Sequence, residues 1–204
     1  MDELELKTFT LGELFTNTYL VFEKEKRRGF LVDVPFPTKE IKEFIQREEL
    51  KINFILLTHG HFDHIQGLKD FSLPVFIHQK DYSFLEDADL NGSNFFGYSI
   101  KISYKKIKFY NHSLFLGNYP IEIFHTPGHT PGSVAIKIQN WLFSGDTIFF
   151  DSIGRTDIPL GSYDLLINSI KEKILKLPLS TLIYPGHGKP TTVERELKDN
   201  PFLV

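Results

Sequence analysis

The chain has no cysteine among its 204 residues. Disulfides, thiolate ligands and a cysteine nucleophile are therefore excluded, and any bound metal must be held by imidazole and carboxylate. Long apolar runs are missing too: no stretch approaches the ~18 residues of a membrane span, so no membrane partner is expected. The opening segment, MDELELKTFT, is acidic and alternating. It lacks the basic start and apolar run of a secretory leader, and a cytoplasmic location is expected. Neither sign of charge dominates. The net charge is -3, which leaves no basic surplus to neutralise phosphates, and no nucleic-acid partner is expected. No G-x-S-x-G turn is present, so an acyl-serine route has no signature. What is abundant is phenylalanine, at twenty residues, most of it expected as core filler.

Short strands dominate the first third. LELKTFT alternates apolar and polar residues, as a half-buried strand does. TNTYLVFE and FLVDV read as a hairpin around the charged, solvated turn EKEKRRG. Thr38 predicts a helix N-cap, and Ile41, Phe44 and Ile45 give one apolar face at helical spacing. NFILLT is a buried strand followed by a polar run, residues 59–64. That run falls on a loop at a strand's C-terminal end, where sites are commonly built. VFIH is another short strand, and the stretch from Asp87 to Tyr98 reads as a loop. Further strands follow, with turns at Gly117-Asn118 and Gln139-Asn140. A long amphipathic helix is predicted over residues 163–177, with Leu166, Ile170, Ile174 and Leu177 as its buried stripe and Pro178 as its stop. TLIYPG is the last buried strand, and the tail VERELKDNPFLV begins helical. The order predicts two sheets packed face to face with helices outside. No linker divides the chain.

The strongest signal is Thr58-His59-Gly60-His61-Phe62-Asp63-His64. It holds three of the chain's eight histidines, too dense for a loop with incidental imidazoles. His59 and His61 alternate, so on extended backbone both point the same way. Asp63 and His64 come where the chain turns into a helix and can face a second ion. HTPGHTPG places His129 in a turn stiffened by Pro127 and Pro131. WLFSGD ends a buried run in Asp146, and YPGHG ends another in His187. Each of these three alone is a weak turn signal; combined with the first segment they become specific. His78, His112 and His125 fall outside the pattern and read as structural or exposed. Asp33, at the end of a predicted strand, is either a partner for a ligand histidine or a plain strand-end residue.

The segments THGHFDH, GHTPGS, FSGDTIF, GRTDIP and YPGHG, spread from Thr58 to Gly188, resemble the metallo-β-lactamase superfamily and, within it, the glyoxalase II-like branch. The resemblance implies an α/β fold, the four-layer αββα metallo-β-lactamase sandwich, with the site at one edge. It implies two divalent metal ions, Zn first, with Fe or Mn as alternatives. One ion would take His59, His61 and His129; the other would take Asp63, His64 and His187; Asp146 would bridge them. It also implies a thioesterase acting on S-acyl-glutathione, such as S-D-lactoylglutathione, or on a related small-molecule thioester, through a hydroxide held between the ions. Asp63 is expected to orient that nucleophile. Arg155 is expected to grip a substrate carboxylate, with a structural ion pair to Asp157 as the competing reading.

Full-length members of that branch add a C-terminal helical region that binds glutathione. Here the chain reaches Val204, 17 residues beyond His187, so a single domain over 1–204 without that region is expected. The aromatic stretch Phe95-Phe96-Gly97-Tyr98 is expected to supply a pocket wall instead. The same motifs admit a mononuclear-iron persulfide dioxygenase or a lactonase or esterase. A β-lactamase is disfavoured, because the zinc-bound cysteine of many such enzymes has no counterpart. Nothing in the sequence fixes the oligomeric state.

Overall fold

The computed structural model describes residues 3–203. Met1 and Asp2, which open the MDELELKTFT segment, and Val204, which closes the expected 1–204 domain, lie outside the described residues. The first sheet contains β1 (Leu4–Leu11), β2 (Thr16–Glu23), β3 (Arg28–Val32), β4 (Lys51–Leu56), β5 (Val75–Ile77) and β6 (Ile107–Phe109), side by side in chain order. Its first three strands are antiparallel, and β3 to β6 are parallel. The second sheet begins as a meander: β7 (Leu114–Leu116), β8 (Tyr119–His125), β9 (Val134–Ile138) and β10 (Trp141–Gly145). A small hairpin, β11 (Ile148–Phe149) and β12 (Ser152–Ile153), follows. β13 (Leu182–Pro185) then pairs parallel to β10, and β14 (Thr191–Thr192) completes the sheet. The helices are α1 (Lys39–Arg47), α2 (Phe62–Ile65), α3 (Tyr163–Ser169) and α4 (Val193–Asp199).

Strand alternation sorts the apolar side chains into three layers. Leu20 and Phe22 of β2 face α1 and its Ile41, while Tyr19 and Val21 face the second sheet. A register shift in β4 skips Asn53, so Ile52 and Ile55 share the outer face and Phe54 and Leu56 the inner one. Val134, Ile136 and Phe143 meet the inner face from the second sheet. Ala135, Leu142 and Ile183 point the other way, onto Leu166, Ile170, Ile174 and Val193 of the C-terminal helices. The result is helix, sheet, sheet, helix, the αββα sandwich expected from the sequence.

Two local expectations change. Thr38 stands at the start of α1 but makes no side-chain cap. Its buried hydroxyl donates instead to the Asp70 carboxylate, a charged acceptor that forms the stronger bond. The helix predicted over residues 163–177 is α-helical only to Ser169, and Ile170–Ile174 form a π turn. Leu166, Ile170 and Ile174 step by four residues, which drifts off one line at 3.6 residues per turn; a wider turn keeps all three on the sheet. Among the described residues, no helix is long and apolar enough to cross a membrane.

Candidate metal centre

The four histidine- and aspartate-bearing segments follow β4, β8, β10 and β13, and their side chains converge. The donor atoms of His59, His61 and His129 lie within 4.8 Å of one another, and so do those of Asp63, His64 and His187. Asp146 sits between the two groups. Its Oδ2 is 3.6 Å from His129 Nε2 and 3.5 Å from His187 Nε2, and its Oδ1 is 3.5 Å from His64 Nε2. The backbone permits this closeness at two glycines. Gly145 adopts φ +49, and a Cβ there would strike the Thr58 side chain. A Cβ at Gly186 would run into Asp146 Oδ1. The turns that deliver Asp146 and His187 therefore need glycine.

Most of the rings are aimed by a bond on the nitrogen that faces away from the cluster. His64 Nδ1 bonds Asp33 Oδ2 at 2.7 Å, His129 Nδ1 bonds the Arg155 carbonyl at 2.8 Å, and His187 Nδ1 bonds the Leu14 carbonyl at 3.0 Å. The Thr58 hydroxyl donates to Asp33, so it accepts from His59 Nδ1 at 3.1 Å. Each of these bonds leaves Nε2 turned inward. His61 is the exception: its Nδ1 faces inward, 2.9 Å from His129 Nε2. Asp33, open to two readings from sequence, is thus the partner of His64. Its left-handed φ of +55, which aspartate tolerates, ends β3 and lets the carboxylate also accept from the Thr58 amide at 2.8 Å.

Two supporting residues escape sequence reasoning. The Thr16 hydroxyl donates to Asp63 Oδ2 at 2.7 Å, across 47 residues. Buried Asp81 accepts from the Gly60 amide at 3.1 Å, the Thr130 hydroxyl at 2.6 Å and the Gly132 amide at 2.6 Å. It ties the loop of His59 and His61 to the loop of His129. Neither residue carries a local signal: Thr16 opens an ordinary strand, and Asp81 looks like a solvated acid in the polar run HQKD.

Burial disfavours charge throughout the cluster, but the carboxylates outweigh it at two rings. Asp146 and Asp63 lift His187 to about 11, and Asp63 and Asp33 lift His64 to about 9. Burial beside His129 drives His61 down to about 3, and burial beside His64 holds His59 well below its ordinary value. Burial also resists the charge on Asp63 and Asp146, yet the neighbouring imidazoles hold Asp63 at about 2 and Asp146 well below the carboxylate range. The carboxylates therefore demand positive charge. Three buried atoms of the cluster, His59 Nε2, His64 Nε2 and Asp146 Oδ1, have no hydrogen-bond partner among the described residues, although buried polar atoms are nearly always paired. Imidazole and carboxylate atoms gathered this way fit a divalent metal such as Zn, Fe or Mn.

The cluster opens on a cleft of about 440 Å³, reached past Asn91, Phe149 and Ile153. One arm, also about 440 Å³, passes His61, Phe95, Arg155 and Ile158; another, about 540 Å³, passes Asp63, Phe62, Phe96 and Tyr98. The aromatic stretch thus borders both arms. Arg155 lines the cleft with its guanidinium bonded to Asp157 through Nε and Nη2, both at 2.9 Å. Both partners of that pair are exposed. His78 and His125 stack on each other at 4.1 Å, and neither they nor His112 belong to the donor groups.

Comparison with known proteins matches residues 11–187 to the metallo-beta-lactamase superfamily. A probable metallo-hydrolase of Bacillus subtilis is 35% identical, with 98% of each chain covered. A hydroxyacylglutathione hydrolase of Haemophilus influenzae is also 35% identical, over 92% of each chain. Among solved structures, the B3 metallo-beta-lactamase BLEG-1 is 39% identical with a TM-score of 0.91, covering 98% of this chain and 99% of that one. TTHA1623 in a di-iron-bound form is 34% identical with a TM-score of 0.84, covering 97% of this chain and 100% of that one. Matched along almost its whole length, with the His and Asp cluster in place, the chain belongs to the metallo-beta-lactamase superfamily.

Proposed function

We propose that this protein is a binuclear metallohydrolase that cleaves thioesters of the S-acyl-glutathione class. The coarse assignment, a metallo-hydrolase acting on small molecules, follows from the family and from the Bacillus relative. The observation that carries the finer reading is the pair of inward-facing donor groups sharing Asp146, with three of their buried atoms unpaired. His59, His61 and His129 would hold one ion; Asp63, His64 and His187 would hold the other; Asp146 would serve both. Two cations there would supply a water that loses its proton near neutral pH and would polarise the carbonyl. The Haemophilus relative's name supports a hydroxyacyl-glutathione substrate.

The chain's own residues do the positioning. Asp63, held by the Thr16 hydroxyl and lining the cleft, orients the attacking water. Arg155 exchanges its exposed partner Asp157 for a substrate carboxylate, which a guanidinium can grip through two bonds. With no cysteine and no nucleophile elbow, attack is direct. Water adds to the carbonyl carbon, the C–S bond breaks, and the products are a carboxylate and a free thiol, with the water's protons going to the thiol and to solvent. The reading includes a single domain and a cytoplasmic location.

The likeness to BLEG-1 favours a second reading, β-lactam hydrolysis by the same centre. One preparation tests both. Bound metals are quantified, and hydrolysis of S-D-lactoylglutathione and of a chromogenic cephalosporin is measured in parallel. Expected are about two metals per chain, faster thioester than lactam cleavage, and loss of both in His59→Ala. One iron per chain with oxygen uptake on glutathione persulfide, and no hydrolysis, would overturn the proposal.

A further inference from the structure

The largest of the three spaces described is the arm that leaves the centre past Asp63. Leu14, Phe62, Asp63 and Phe96 line both this arm and the central cleft, so the two spaces are continuous. Buried Phe62 lines the arm. Phe36, Pro37, Phe96 and Tyr98 line it as well. Phe36, Phe96 and Tyr98 are 41%, 45% and 39% exposed, yet all three border one groove. Exposed aromatics gathered in this way mark a binding surface. Phe96 and Tyr98 are braced: the Phe62 ring lies 5.1 Å from Phe96 and 6.0 Å from Tyr98, and the Tyr98 hydroxyl donates to Glu13 at 2.7 Å. At about 540 Å³ the arm has room for a sizeable chemical group.

Charge sorts what each arm can accept. Apart from the metal ligand Asp63, the one charged side chain among the residues lining this arm is the acidic Glu13, and the Lys69 ammonium lies over the Phe36 ring, 4.8 Å from its centre, so no cationic side chain lines the arm to pair with an anionic group. The arm that passes His61 carries Arg155 beside Asp89 and Asp157, a mixture suited to a carrier bearing both signs of charge. We propose that the aromatic arm is an acyl subsite for an apolar aliphatic or aryl group, with the charged thiol carrier in the Arg155 arm. The preferred substrates are then apolar acyl thioesters rather than small hydroxyacyl ones. This inference rests on the thioesterase reading above and puts an apolar acyl group in place of the hydroxyacyl one.

Two series on one carrier test it. The first is kcat/KM of the metal-loaded enzyme for D-lactoyl, acetyl, butyryl, hexanoyl and phenylacetyl thioesters of glutathione. The second is calorimetric affinity for S-ethyl-, S-butyl- and S-hexylglutathione, which cannot be hydrolysed. Both should rise about threefold to fourfold per added methylene, and Phe36→Asp, a substitution at an exposed side chain, should flatten both slopes. Hydrolysis with no chain-length dependence in either series, or with D-lactoyl preferred to butyryl, overturns the subsite and leaves the thioesterase standing. A rising thioether series that Phe36→Asp flattens, without cleavage of any thioester, supports the subsite and overturns the thioesterase. Rising slopes that Phe36→Asp and Phe96→Ser both leave intact place the chain elsewhere and overturn the subsite.

Discussion

Both carboxylate oxygens of Asp81 are committed to the loops that carry His59, His61 and His129. Asp81→Asn replaces one acceptor by a donor and leaves a buried N–H or hydroxyl facing it. The cost expected is about 1–3 kcal/mol, measured by urea unfolding. Metal affinity should fall roughly 10–100-fold, measured by chelator competition; unchanged values of both would show that the loops hold their places without it. The pH dependence has a definite sign. Burial outweighs the hydrogen bonds and lifts Asp81 from 3.8 to about 6. The folded state then holds the extra proton between those values, so this residue's contribution is present below pH 3.8 and lost as pH rises to 6. Asp81→Asn should remove that slope. At this scale the seven cluster side chains were legible, because each lies in a short motif of metal-binding residue types. Thr16 and Asp81 were not, since their contacts form only on folding. The carbonyls of Leu14 and Arg155 left no trace at all, because a backbone acceptor carries no residue identity.

Two substitutions on different elements separate the cluster from the scaffold. Gly186 lies just after β13, and a Cβ there would collide with Asp146 Oδ1 and come within 2.8 Å of His64 Cε1. Gly186→Ala should release metal while the circular dichroism spectrum stays native; retention of full metal content would mean that the loop gives way instead. Ile170 is fully buried between the second sheet and the helices outside it. Ile170→Ala should cost about 2–5 kcal/mol in urea unfolding and leave metal affinity within twofold. Strand positions such as Tyr19 to Phe22 were readable from alternation, since each side chain's face follows from its parity. The π turn at Ile170–Ile174 was not readable, because it depends on the sheet surface that the stripe must match. Thr38 was read correctly as the N-cap position of α1, but its bond was not, for a related reason: its acceptor, Asp70, lies 32 residues away.

The cluster also joins the two halves of the molecule. Thr16 of the first sheet bridges His187 of the second, and the Asn17 amide bonds the Gly186 carbonyl at 2.7 Å. Metal held across this seam should therefore stabilise the whole sandwich. A ligand at a hundred times its Kd contributes about 2.7 kcal/mol, which for a chain of this size raises Tm by roughly 5–11 °C. Without metal, protons on His64 and His187 are the charge that answers Asp63 and Asp146. Both pKa values are raised, so their stabilisation is complete below 6.5 and is lost as pH climbs through about 9 and then about 11. His59 and His61 are depressed and act in the opposite sense, costing stability as pH falls from 6.5 toward about 3. The chelated protein should then have its Tm maximum near neutral pH. Metal needs the rings deprotonated, as they already are in the unfolded chain above pH 6.5, so the loaded protein stays level there while the metal-free one loses. Scanning calorimetry with and without chelator should show the gap in Tm widening from pH 7 to 10. A gap that stays constant over that range would mean that protons on these two histidines do not stand in for the cations, and that the seam is held by its backbone bonds alone.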